Sequence, residues 1–323
     1  MSHTILSSHH SLCLAVFWFG ACTAIAAESG TQSAYKPAVQ AASFDRTAPA
    51  DTGRSVRFGR REPQVGDQLE QTLSVAVQLD TLLRQGTTVV ERSKSAMRRE
   101  QRRTVTTTHV EHGMTVAVLV RYTQARKESA AGSSTGKLGE STLAPQPVDG
   151  KTYRCRRDGE TLLVADEAGQ IPPLAESEIV AQNMETLGRP NPLADFLNGK
   201  TLTVGQKLAV PNDVAEKLLG LGGEMGGVTR FELTLDNVNE IDGAACAVFR
   251  ASIEAASNDS SQMRLVVDGP LVIQVDTCRA VAANFTGPIG MSETRGSLTA
   301  TYQMAGTGKM TVGIASKYSD ARR

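Results

Sequence analysis

Residues 68–80 read QLEQTLSVAVQLD. Leu69, Leu73, Val75, Val77 and Leu79 fall on one side of a two-residue period. Gln68, Glu70, Thr72, Ser74, Gln78 and Asp80 fall on the other. That period, with β-branched residues on one side, belongs to a strand with one dry and one wet face. Gln71 is the one polar residue on the dry side. At about 3.3 Å per residue the stretch spans roughly 43 Å, long for a strand of an ordinary sheet. The expectation is a mainly β chain of long antiparallel strands.

The neighbouring sequence extends this pattern. Glu111-His112-Gly113 reads as a turn, and Met114, Val116, Val118, Val120 and Tyr122 then repeat the alternation. Residues 89–110 are ambiguous. Arg98, Arg99, Arg102 and Arg103 crowd the middle, and the threonines at 104 and 106–108 favour a strand. Residues 91–103 fit helix or strand equally. Asp-Gly pairs stand at 149–150, 158–159, 242–243 and 268–269, and this dipeptide supplies the positive φ values of a tight hairpin turn. The last three lie between β-like runs: 153–156 and 161–165, 231–241 and 246–253, 263–267 and 271–278. Further runs cover 297–304 and 309–318. This rhythm predicts an antiparallel meander, folded as a curved sheet or half-barrel. A short helical insert, residues 174–220, interrupts it. Ile179, Val180, Met184 and Leu187 have helical spacing ahead of Gly188, Asn191 caps a second short helix at 192–197, and a third covers 213–219. Val65-Gly66-Asp67-Gln68-Leu69 is echoed by Val204-Gly205-Gln206-Lys207-Leu208.

The N-terminal region points to export. Residues 12–19 read LCLAVFWF and stay apolar to 27, short of the about 20 residues of a membrane span. Ala24-Ile25-Ala26 fits a small-residue cleavage site, which makes 1–26 a signal peptide, although His3, His9 and His10 stand where Lys or Arg is usual. In the other reading, Phe19-Gly20-Ala21-Cys22 is a lipoprotein signal and Cys22 is acylated. The expected location is the periplasm or the extracellular space, or a membrane surface through Cys22. Residues 27–63 read as a flexible segment, 64–318 as the β domain and 319–323 as a tail. The Gly, Ser and Pro-rich stretch 128–147 reads as a disordered loop. No other stretch is long and apolar enough for a spanning helix.

Composition narrows the chemistry. Hydrophobic content of 40% supports a core, while aromatic content of 4%, with Trp18 in the leader, argues against sugar-stacking platforms. Residues 52–157 hold 19 basic and 10 acidic residues, and residues 158–260 hold 6 and 17. The reading preferred is that the two halves attract each other within one fold. Beyond the leader, Cys155, Cys246 and Cys278 are an odd set, so no disulfide scaffold is expected. A turn near 258–259 would set Cys246 opposite about Leu271 and Cys278 roughly 23 Å further along, beyond the about 7 Å reach of a disulfide.

Catalytic motifs fail on spacing. His109-Val110-Glu111-His112 has one residue too few for the zinc-protease pattern. Gly150-Lys151-Thr152 and Gly199-Lys200-Thr201 lack the earlier glycine of a phosphate loop, with Pro145 and Ala194 in its place. Ser134-Thr135-Gly136-Lys137 sits in a loop, not at the head of a buried helix. Residues 236–242 (DNVNEID) lack the ligand order of a calcium loop. The arginines from Arg92 to Arg103 have no interleaved aromatics, which argues against nucleic acid and for a solvated face or an anionic envelope partner. No catalytic residue, cofactor or metal is assigned.

The Val-Gly-Asp opening at Val65, residues 199–205 (GKTLTVG) and residues 242–249 (DGAACAVF) resemble a family of uncharacterised exported bacterial β-rich proteins. The long strands are also similar to the half-barrels of periplasmic lipoprotein carriers, a likeness of fold that transfers no functional residue. Three functional readings follow. The first is a non-catalytic cell-envelope protein, an interaction or structural module. The second is a carrier of a lipid or acyl chain, with Leu73, Val75, Val77 and Leu79 facing Phe231, Leu233 and Leu235 across a cavity. The third is a hydrolase that relies on carboxylates. The expected partner is a lipid or an envelope protein.

Overall fold

The computed structural model describes residues 53–132, 138–219, 227–257, 261–297 and 300–321. The signal segment 1–26, Cys22, residues 27–52, the Ser134 to Lys137 string and the Asn258-Asp259 turn lie outside the described residues. β1 (Ser55–Arg57) pairs apart from the main sheet. β2 (Gln68–Gln85), β3 (Thr88–Glu111) and β4 (Met114–Gly132) form a long meander. β5 (Thr142–Pro145) pairs back on β4, and β6 (Thr152–Asp158) and β7 (Thr161–Asp166) end this half. Then come α1 (Leu174–Asn183), α2 (Pro192–Leu197), β8 (Thr201–Thr203), β9 (Lys207–Ala209) and α3 (Asn212–Leu219). The second meander is β10 (Gly227–Ile241), β11 (Ala244–Ala256), β12 (Ser261–Gln274), β13 (Ala280–Ser297) and β14 (Ala300–Ser319).

Among the described residues, twelve strands make one open antiparallel sheet. Its order is β7-β6-β4-β3-β2-β14-β13-β12-β11-β10-β9, with β5 on β4. The two meanders join where β2 pairs with β14, from Gln68 opposite Ser319 to Gln85 opposite Tyr302. The helical insert connects β7, at one edge, to β9 and β10, at the other. No helix among the described residues is long and apolar enough to cross a membrane.

Alternation decides which face is dry. On β2, Gln71, Leu73, Val75, Val77 and Leu79 are buried, and Gln78 and Asp80 are exposed. Two apolar clusters occupy this inward face. The larger joins β2, β14 and β10–β12 with α2, α3 and β8. The smaller joins Val118, Val120, Tyr122, Tyr153 and Cys155 to Val180, Met184 and Leu187 of the α1 region. Each fully buried Val, Leu or Phe contributes about 2 kcal/mol, so the sheet is held mainly by these faces.

One open choice is settled and several expectations are corrected. Residues 91–103 are strand throughout, because β3 pairs with β2 and β4 along this stretch. The loop expected at 128–147 is strand at both ends: β4 runs to Gly132, and Arg126 to Ser129 pair with Pro145 to Thr142. Order begins before residue 64. β1 pairs with β8, and Phe58 is buried against Phe249, ring centres 6.0 Å apart. Asp268-Gly269 is not a turn but lies within β12, where Gly269 faces Ala251. A Cβ there would stand 1.8 Å from the Asn284 carbonyl oxygen, so the glycine serves a close backbone approach. β13 was not anticipated, Ser297 ends it, and the runs at 300–304 and 309–318 are one strand, β14. The β11–β12 register sets Cys246 opposite Gln274, not Leu271. Cys155, Cys246 and Cys278 are all free and buried.

Other turns follow their chemistry. His112 (φ 49°) with Gly113 (φ 72°), and Asp242 (φ 50°) with Gly243 (φ 76°), form two-residue hairpin loops. The Val-Gly echo is structural too. Gly66 and Gly205 have φ of 91° and 89°, each in a turn just ahead of a strand. Asn191 caps α2 by accepting from the Leu193 and Ala194 amides.

Candidate functional site

The inward face of β3 is the polar part of the sheet's dry side. Met97, Arg99, Gln101, Arg103 and Val105 point inward in turn, between the two apolar clusters. Arg99, Gln101 and Arg103 are buried, whereas Arg98, on the other face, pairs with Glu100. The arginine run is therefore split by the pleat into a wet set and a dry set.

The dry set is held mostly by neutral groups. Arg103 donates to Gln71 Oε1 from Nε at 3.1 Å and from Nη2 at 2.6 Å. Gln71, the defect in the β2 pattern, is thus the acceptor for a buried cation. Arg103 Nη1 also reaches the Asn183 carbonyl at 3.5 Å. Gln101, with its amide oxygen turned to Arg99, accepts from Nη2 at 2.7 Å and Nε at 3.1 Å. The Asn183 amide donates to Tyr122 Oη at 2.8 Å, which ties α1 to the seam. Burial, with the like charge of Arg103, lowers the Arg99 pKa to about 10, so Arg99 is charged at neutral pH. Burial raises the Cys155 thiol to about 12, against the opposing pull of the nearby Arg103.

A second anchor sets α1 on the sheet. Glu176, in its first turn, accepts from Tyr153 Oη at 2.6 Å and from Lys151 Nζ at 2.6 Å. Burial acts to raise the Glu176 pKa, but Lys151 and Tyr153 outweigh it and the carboxyl ends below its ordinary value. Lys151–Glu176 and Arg60–Asp195 join the basic half of the sequence to the acidic half.

Beside this anchor a cleft of about 940 Å³ opens between α1 and the β6–β7 edge. Val118, Cys155, Leu162, Val164 and Ala181 line it, with Leu163, Ile171, Arg154 and Arg156. Ile171 is 89% exposed and Leu163 50%, and Leu174, at the head of α1, is 74% exposed. Leu163 and Ile171 are thus exposed on the cleft lining, and exposed apolar side chains at one opening mark a contact site more often than scattered exposure does.

The seven strand positions singled out from sequence, Leu73, Val75, Val77, Leu79, Phe231, Leu233 and Leu235, are all buried in the larger apolar cluster. None of them lines the cleft of about 940 Å³. His109 Nε2 lies 3.1 Å from Glu111 Oε1 at the exposed end of β3, and His112 occupies the turn. Among the described residues no group of three or more metal-ligating side chains converges. The sequence reading missed the cleft because its walls come from β4, β6, β7 and α1. The split of the arginine run was readable from the two-residue period once residues 91–103 were taken as strand.

No family model and no curated protein matches the chain. Among solved structures, a chain from "Lipid-protein interactions in lipovitellin" aligns with 80% of this chain at 10% identity and a TM-score of 0.33. The match covers 26% of the lipovitellin chain. A chain of the ETEC pilotin–secretin AspS–GspD complex aligns with 80% of this chain and 50% of its own length, at 8% identity and a TM-score of 0.16. Both scores are too low to carry a function to this protein.

Proposed function

We propose that this protein is a non-catalytic binder of a lipid or acyl chain, acting after export. The observation that carries the reading is the cleft of about 940 Å³ between α1 and the β6–β7 edge, with Leu163 and Ile171 uncovered on it. Its volume lies within the about 300–1,000 Å³ range of small-molecule sites. Its lining includes Val118, Leu162 and Val164, which suits an acyl chain. Native mass spectrometry after incubation with envelope lipids tests the reading. A stoichiometric lipid adduct, lost in an Ala181→Trp variant that fills the cleft, supports it. An unchanged mass in the wild type refutes it.

A second reading is a docking site for an envelope protein. Leu174, 74% exposed beside the cleft, favours it by widening the apolar surface beyond what one acyl chain covers. Crosslinking from position 174 to a protein, with no lipid adduct in the native spectrum, would select this reading.

A further inference from the structure

Arg99 and Lys127 stand directly opposite each other in the β3–β4 register. Facing residues of an antiparallel pair project on the same side, with Cβ atoms about 5 Å apart. Two cations therefore share one inward spot, and Arg103 adds a third positive charge further along β3. The inward neighbours are Val75 on β2, Met97 and Gln101 on β3, Ala125 on β4 and Ala144 on β5. None is an acid. Among the described residues neither Arg99 nor Lys127 belongs to an ion pair.

Arg99 is 5% exposed. Its amide partner, Gln101, satisfies donors but leaves the charge in place. Buried charges in proteins are ordinarily paired, and like charges facing each other across strands repel. Here Arg99 and Lys127 face each other with no carboxylate among their inward strand neighbours. Lys127 is half-buried, so the spot borders solvent.

We propose that Arg99 and Lys127 form a receptor for a phosphate-type oxyanion. The guanidinium offers a planar fork of donors and the ammonium a movable point charge. The site stands apart from the cleft, which none of these residues lines. Its chemistry suits free phosphate and the phosphomonoester headgroup of a lipid alike.

The test is calorimetric titration of the purified protein with inorganic phosphate and, separately, with monomeric short-chain phosphatidic acid. Both are run in the Ala181→Trp background, so that the cleft does not contribute. Binding of either probe is expected, weakened tenfold or more by Arg99→Met and by Lys127→Met. Binding of phosphate identifies a free anion as sufficient, and binding of phosphatidic acid alone identifies a headgroup. Lys127→Met is the control for folding, since its position is half-buried, and it should melt with the parent protein. Absence of binding for both probes, or variants that bind like the parent, overturns the proposal. Because the lipid adduct in the cleft is read separately, either proposal can fail while the other stands.

Discussion

Asp67 and Arg279, 212 positions apart, meet at 3.1 Å. Asp67 precedes β2, and Arg279 lies in the turn between β12 and β13. The Asp67 carboxylate also accepts from the Ala321 amide at 2.9 Å and the Gln64 amide at 3.1 Å, and Arg61 lies 3.3 Å away. Arg61 and Arg279 both pair with Asp320 as well. One buried carboxylate therefore fastens the start of β2 to the stretch after β14.

Asp67→Asn is expected to lower stability by about 2 kcal/mol, because it removes a buried charge that accepts from two amides and two half-buried arginines. Urea unfolding at neutral pH measures this. Burial acts to raise the Asp67 pKa, but the two amides and the two arginines outweigh it and the value falls below the ordinary 3.8. A carboxyl whose folded pKa is lowered stabilises fully above its unfolded value and loses that contribution as pH falls through the folded one. The wild type should therefore lose stability below about pH 4, and the variant should lose less over the same window. Equal acid sensitivity would remove Asp67 from the explanation.

Gln71→Leu would complete the apolar alternation of β2, yet it is expected to destabilise by about 2 kcal/mol. Arg103 would lose the Oε1 that accepts two of its N–H groups, and depriving a buried charged donor costs more than one added apolar side chain returns. Thermal melts of the variant and wild type decide the sign.

Gly269→Ala is expected to cost more than about 3 kcal/mol or to prevent folding, since the new Cβ meets the Asn284 carbonyl. Gly243→Ala, at a positive-φ turn with open space around it, should cost only about 1 kcal/mol. Soluble expression and denaturation midpoints of the pair compare backbone contact with backbone strain.

Tyr153→Phe removes the hydroxyl that donates to Glu176. A hydrogen bond to a charged group is worth about 2 kcal/mol. Hydrogen exchange should then show faster opening of α1 while β10 and β11 keep their protection. Uniformly faster exchange would mean that α1 and the whole sheet open together.

Cys155, Cys246 and Cys278 should resist a thiol reagent in the native protein and react in denaturant without reductant. All three are free and buried, and burial raises each thiol pKa. Thiols that appear only after reduction would reveal a disulfide.

The legible parts of the fold are those where one residue does one job. β2 alternates cleanly because its inward positions are nearly all apolar, and Asp242-Gly243 turns because it needs positive φ at both residues. β3 was ambiguous because Arg99, Gln101 and Arg103 occupy dry positions where a pattern reader expects Leu or Val. β13 was missed because its sequence, with Gly287, Pro288 and Gly290 in the middle, looks like a break. Gly287 serves a close backbone approach: a Cβ on it would lie 2.0 Å from the Val266 oxygen. The seven apolar strand positions were legible as a buried set. The cleft and the Arg99–Lys127 pair were not, since each exists only through strand register and the placement of α1.

The pairing of β2 with β14 also constrains the order of events during synthesis. β2 is 18 residues long and emerges early, while its partner on one side waits for all of the intervening sequence. Until then the first meander presents a long row of unpaired backbone groups beside an apolar face, a template for association with other nascent chains. Closing so distant a contact is slow. The central seam therefore stays open until β14 has been made, and a holding chaperone should raise the yield more than a faster rate of translation.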